Sequence, residues 1–159
     1  MVTLIGMGSG SWEALSAQAQ DAVRGAGLVF GAKRLLAGLP PECTARQFAL
    51  YQPAEILETL AQAPGQDAAV LYSGDTGFYS GASGLLTPLR ALGIPARVYP
   101  GVSSIQLLAA ALGRPWQDWK LVSAHGCACD PVAECMTERS VFFLTGGAET
   151  PATLCRKLA

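Results

Sequence analysis

The chain has 159 residues, 11 basic and 12 acidic side chains and a net charge of −1, and it is 50% hydrophobic but only 14% charged. A charged fraction so far below the usual ~25% excludes intrinsic disorder, and arginines scattered singly in a near-neutral chain exclude a polyanion-binding surface, so no nucleic-acid partner is expected. No apolar run reaches the ~20 residues of a membrane span, residues 1–6 lack a basic signal-peptide start, and the five bunched cysteines read as reduced thiols, so the expected location is cytoplasmic.

Short apolar runs alternate with longer helix-like segments, the pattern of an α/β protein with a largely parallel sheet. Residues 2–7 are the first expected strand, and the Ala-, Gln- and Leu-rich stretch 12–23 is an expected helix with Ser11 as its N-cap. Gly25 and Gly27 stop it, Leu28-Val29-Phe30 reads as a buried strand, and a short helix is expected over 32–36. After Pro40-Pro41, residues 48–51 are expected to pair briefly, and Pro53 opens a helix over 53–63. A buried strand over 68–72 runs into Ser73-Gly74-Asp75-Thr76-Gly77, a turn too polar and Gly-rich to continue the sheet. A helix follows over 79–92, with Leu85, Leu86 and Leu89 as its apolar stripe. The strand 96–99 leads into Pro100-Gly101-Val102-Ser103-Ser104, where Ser103 or Ser104 can cap a helix ending near Leu112. Gly113 marks an expected hinge. Strands over 120–123 and 141–144, joined by a Cys-rich connection, and a helix opening at Thr150-Pro151 complete the second part.

Gly6-Met7-Gly8-Ser9-Gly10 follows the first strand directly, so its backbone can turn tightly and approach a ligand. A dinucleotide site needs G-x-G-x-x-G and a carboxylate after the second strand; the spacing here is G-x-G-x-G, and Phe30-Gly31-Ala32-Lys33 offers no acid. The turn at 73–77, extended by Phe78-Tyr79-Ser80-Gly81, gathers a carboxylate, hydroxyls and backbone N–H groups at the carboxyl end of a strand, a mixture suited to a zwitterion. For Asp75 alone an Asx turn or helix cap is the plainer reading. His125, Cys127, Cys129 and Cys135 fall close together, but Cys-x-Cys lacks the spacing of a zinc knuckle, so no metal is expected. Trp12, Trp116 and Trp119 suit either a flat ligand or aromatic core and interface contacts.

Four segments in this order and spacing, Gly6-Met7-Gly8-Ser9-Gly10, the stretch from Leu71-Tyr72-Ser73 through Ser80-Gly81, Pro100-Gly101-Val102-Ser103-Ser104 and Val122-Ser123-Ala124-His125-Gly126, resemble the tetrapyrrole methylases. That family methylates the macrocycles leading to cobalamin and sirohaem with S-adenosylmethionine. The Gly-Asp-x-Gly-Phe-Tyr-Ser-Gly form, Gly113-Arg114-Pro115-Trp116 and Ser-x-His-Gly look most like the branch of precorrin-6Y C5,15- and cobalt-precorrin-7 C5-methyltransferases. The resemblance implies two α/β domains, residues 1–112 and 113–159, with the cofactor in the cleft between them and the second domain short of the family's last strands.

The resemblance also implies site residues. Ser73, Gly74, Asp75 and Phe78 would contact the methionine part of the cofactor, with Ser103 and Ser104 beside it and Thr145 as a C-terminal-domain contact. Ser9 stands where many family members have Pro, and Cys127 stands where this branch usually has Arg. The expected reaction is in-line methyl transfer to ring carbon 5, with carbon 15 as a second candidate, and no covalent intermediate with the protein. Asp75, Tyr79 and His125 are the candidate proton acceptors. The competing expectation is a non-catalytic methylase-like chain that binds a tetrapyrrole or a partner subunit. A homodimer is expected, and a decarboxylating methyltransferase domain would be a fused or separate partner.

Overall fold

Strands that are buried along their whole length, with no polar alternation, must be covered on both faces, and three such runs pair here with two more exposed edge strands as one parallel sheet. The computed structural model describes residues 1–126 and 129–159, and the chain divides into two compact units, Met1–Ser103 and Ser104–Ala159. In the first unit β1 (Val2–Gly6), β2 (Leu28–Gly31), β3 (Arg46–Phe48), β4 (Ala68–Tyr72) and β5 (Ala96–Tyr99) lie in the order β3-β2-β4-β1-β5. Every neighbouring pair is parallel, with Val2 opposite Ala68 on one side and Ala96 on the other.

Helices α1 (Ala17–Arg24) and α2 (Lys33–Leu36) cover one face, where Ile5, Met7, Val29 and Leu71 pack with Leu15, Ala19, Val23 and Leu35. Helices α3 (Pro53–Ala61) and α4 (Ala82–Ala91) cover the other, where Leu4, Leu28, Phe30 and Val70 pack with Ile56, Leu85 and Leu89. The connections from β1 and β4, adjacent in the sheet, therefore depart to opposite faces. The carboxyl ends of strands at such a switch point are where an open α/β sheet presents its ligand crevice.

The second unit pairs β6 (Lys120–Ser123) in parallel with β7 (Val141–Leu144). Helix α5 (Ser104–Leu112) packs on β7, and α6 (Pro131–Cys135) on α7 (Pro151–Leu158). No helix among the described residues is long and apolar enough to cross a membrane.

Four parts of the chain depart from expectation by more than one or two residues. The helix expected over 12–23 is a single 3-10 turn, Trp12–Ala14, followed by α1, because Leu15 is extended and Ser16, not Ser11, caps by accepting the Ala19 N–H at 3.2 Å. The brief strand lies at Arg46–Phe48 rather than 48–51, in register with Leu28–Phe30. Helix α4 starts at Ala82 rather than 79, since Tyr79 has φ +46° and Ser80 Oγ accepts the Ala82 N–H. The Cys-rich connection contains α6, whose N-cap Asp130 accepts from Val132 and Ala133 ahead of Pro131 at the first helical position.

Candidate functional site

Beyond Gly6 the turn after β1 stays tied to the turn after β4. The Met7 N–H donates to Tyr72 O at 2.8 Å, and Gly8 and Gly74 exchange backbone hydrogen bonds at 3.1 and 2.8 Å. The turn after β5 closes on the same point. A Cβ on Gly6 would stand 2.6 Å from Gly101 N and 2.7 Å from Gly74 O, and one on Gly101 would overlap the Gly74 carbonyl oxygen. Three turns thus meet backbone to backbone through three glycines. Any side chain at Gly6 or Gly101 would wedge the carboxyl ends of β1, β4 and β5 apart.

Asp75 fastens this junction. Its Oδ1 accepts the Gly101 N–H at 3.1 Å and its Oδ2 the Gly77 N–H at 3.1 Å, so it makes the Asx turn that a lone Asp suggests and also clamps the turn after β5. Thr76 adds a second tie by donating its hydroxyl to Tyr99 O at 3.3 Å. The half-buried carboxylate keeps lone pairs beyond those two bonds and can still accept from an ammonium group.

The other expected residues lie on these turns and at the start of α5. Gly74 has φ +66°, and nothing lies nearer its Cβ position than Ser103 Cα at 3.9 Å, which leaves the backbone open to close approach by a ligand. Ser103 is buried and Ser104 exposed at the start of α5. Ser9 is exposed on the turn after β1. Phe78 and Tyr79 pack edge to face with ring centroids 4.9 Å apart, and Tyr79 is the one non-glycine residue with positive φ among those described. Such backbone strain persists only where the surroundings over-determine it, and binding sites are where it concentrates.

Two groups at this site escaped sequence reasoning. Arg34 of α2 donates from Nη2 to the Ser73 hydroxyl; the Lys33-Arg34 pair just after β2 was the available signal. The Tyr72 hydroxyl is buried with no hydrogen-bond partner among the described residues, and burial pushes its pKa up to about 12. A tyrosine ending an otherwise aliphatic strand was the sign.

In the second unit the adjacent ends of β6 and β7 bring His125 and Thr145 together, with His125 Nδ1 3.4 Å from Thr145 O. Gly146 supplies the space, since a Cβ there would overlap the imidazole. Cys127, where the branch usually carries Arg, lies outside the described residues. Among those described, Cys43, Cys129, Cys135 and Cys155 are free thiols, and no group of three His, Cys, Asp or Glu side chains is arranged to hold a metal ion. Trp12 packs against the core of the first unit with Arg24 5.2 Å above its ring, Trp119 is buried, and Trp116 is exposed.

The family model for tetrapyrrole (corrin/porphyrin) methylases matches residues 1–159, and the chain belongs to that family. The cobalt-precorrin-7 C(5)-methyltransferase of Salmonella typhimurium is 31% identical over 160 residues, covering 99% of this chain and 77% of that protein. Among solved structures, the methyltransferase CobJ aligns with a TM-score of 0.66 at 26% identity over 77% of this chain and 55% of its own. The cobalamin biosynthesis precorrin-6Y methylase of Archaeoglobus fulgidus aligns with a TM-score of 0.70 at 20% identity, covering 94% of this chain and 75% of its own, a likeness of fold.

Proposed function

We propose that this chain is an S-adenosylmethionine-dependent methyltransferase that C-methylates a precorrin or cobalt-precorrin at ring carbon 5, with carbon 15 as a second candidate position, in cobalamin biosynthesis. The observation that carries the reading is the glycine junction of Gly6, Gly74 and Gly101, clamped by Asp75 at the carboxyl ends of β1, β4 and β5. It lies in a chain whose full length matches the family.

The residues fit the cofactor. A zwitterionic amino acid needs an anion for its ammonium and N–H or hydroxyl donors for its carboxylate, and the turn 73–78 offers Asp75, Ser73 and open backbone at Gly74. Ser73, Gly74, Asp75 and Phe78 would hold the methionine part, with Ser103 and Ser104 beside it, Thr145 as the second unit's contact, and Ser9 on the turn facing cofactor and macrocycle. Bound S-adenosylmethionine would supply an activated methyl group, so the protein needs no nucleophilic side chain.

The chain's own contribution is positional. A backbone junction with no side chains to move holds the crevice in one shape, and such pre-alignment is worth several kcal/mol of the barrier (about 7 or more in well-oriented cases). Asp75, Tyr79 and His125 are the proposed acceptors of the proton lost from the methylated carbon. Assembly as a homodimer, association with a decarboxylating methyltransferase domain and a cytoplasmic location complete the reading.

Calorimetric titration with S-adenosylhomocysteine tests it. Micromolar binding is expected. A folded chain that binds none would support a methylase-like chain that binds a tetrapyrrole or a partner without catalysing transfer.

A further inference from the structure

Arg34 stands on α2, directly after β2, at the carboxyl-terminal rim of the five-stranded sheet. Its guanidinium donates from Nη2 to the Ser73 hydroxyl in the turn after β4. Nη1 lies 3.1 Å from the point where Gly10 would carry a Cβ. The planar group is therefore seated between the turns after β1 and β4, close enough that a side chain at residue 10 would crowd it. Gly38 closes α2 against the same turn, since its Cβ position is 2.7 Å from Gly10 O.

The charge on this group is unanswered. Arg34 is exposed, and the ion pairs found among the described residues are made by the N-terminal ammonium, Arg24, Lys120 and Lys157, not by Arg34. The carboxylate at the junction, Asp75, is likewise absent from those pairs and accepts the Gly77 and Gly101 N–H groups. A guanidinium has five N–H donors in a fixed fork, and a neutral hydroxyl occupies one direction without cancelling any charge. A surface arginine with no partner ordinarily moves freely, whereas this one is hydrogen-bonded to the turn after β4, at the carboxyl ends of the strands, with donors remaining. That arrangement suits bidentate capture of a carboxylate.

We infer that Arg34 is a carboxylate-binding residue of this crevice, holding in its guanidinium fork a carboxylate of one of the two reactants. Two sources share that chemistry: an acidic side chain on the rim of the macrocycle, and the α-carboxylate of the cofactor's methionine part. The inference rests on the methyltransferase reading above and adds a residue that neither the sequence motifs nor that reading employs.

The test compares the wild-type chain with Arg34→Gln, Arg34→Lys and Arg90→Gln; the last removes the same charge from the exposed last turn of α4. Each is titrated calorimetrically with S-adenosylhomocysteine and with 5′-methylthioadenosine, which lacks the carboxylate, and each is assayed for methyl transfer to cobalt-precorrin-7 at saturating cofactor. Loss of a charged hydrogen-bond pair corresponds to about tenfold or more in affinity. Arg34→Gln weakening S-adenosylhomocysteine by that factor, with methylthioadenosine unchanged, places the cofactor's carboxylate on Arg34. An equal rise in KM for the macrocycle, with cofactor affinity and kcat retained, places a macrocycle carboxylate there. Arg34→Lys keeps the charge without the fork and recovers part of either loss, and Arg90→Gln leaves both quantities at wild-type values.

Arg34→Gln matching the wild type in both assays overturns the inference while leaving the methyltransferase reading intact, and so does Arg90→Gln matching Arg34→Gln. A folded wild-type chain that binds neither nucleoside and methylates nothing overturns that reading, and the inference falls with it.

Discussion

Asp75 Oδ1 accepts the Gly101 N–H at 3.1 Å across 26 positions of sequence, so one carboxylate joins the turns that follow two strands separated in the sheet by β1. Its second oxygen closes its own turn on Gly77. The residue that most resembles a ligand contact is thus first the clamp that shapes the crevice.

Asp75→Ala leaves the Gly77 and Gly101 N–H groups without their acceptor and is expected to lower stability by about 1–3 kcal/mol in urea unfolding. Asp75→Asn keeps one carbonyl oxygen and should lose less. In the folded Asp75→Ala chain, titration with S-adenosylhomocysteine is expected to show no binding; retained affinity would remove Asp75 from the cofactor site.

Gly101→Ala puts a methyl group onto the Gly74 carbonyl oxygen, and Gly6→Ala puts one 2.6 Å from Gly101 N. The obstructing atoms are backbone, with no flexible side-chain end to swing aside. Each substitution is expected to destabilise by about 3 kcal/mol or more, at the upper end of overpacking effects. A change under about 1 kcal/mol in chemical denaturation would show that the junction yields easily.

The Tyr72 phenol has its pKa raised from 10.0 to about 12 by burial. Because the folded value exceeds the unfolded one, the contribution is fully present below pH 10 and is lost as pH rises through about 12. Stability of the wild type should therefore fall over that window, and Tyr72→Phe should flatten the fall. Below it Tyr72→Phe should be neutral or slightly stabilising, since it removes a buried hydroxyl that lacks a partner. Unfolding free energies measured from pH 8 to the alkaline limit check both statements.

Gly146→Ala would drive its methyl group into the His125 imidazole, which rests over that position beside Thr145 O. The variant is expected to shift the His125 ring resonances and to lose stability. His125→Ala should relieve the clash, so the double variant is expected to be more stable than the sum of the single effects predicts. Additive effects in the double-mutant cycle would disprove the contact.

The alternation of fully apolar runs with helical segments made the parallel α/β class readable, because a strand covered on both faces leaves no polar positions to disguise it. The Gly-rich turns after β1, β4 and β5 were legible as the candidate site for a similar reason: glycine and Asp chemistry is local. Boundaries were read less well. The helix at 12–23 broke because Ser16 competes with Ser11 as a cap, and residues 79–81 stayed outside α4 because Tyr79 adopts a positive φ that no helical propensity reveals.

By itself, then, the amino-acid sequence determined which segments are strands, which turns carry polar and glycine chemistry, and which family's motifs they repeat. Only the tertiary structure decided that β1 and β4 are neighbours with connections leaving to opposite faces, that Gly6, Gly74 and Gly101 touch, that Asp75 reaches Gly101, and that Arg34 lies against Ser73. Those pairings join residues tens of positions apart. They depend on strand order and register, which are settled by how two apolar faces are covered at once and which no local pattern encodes.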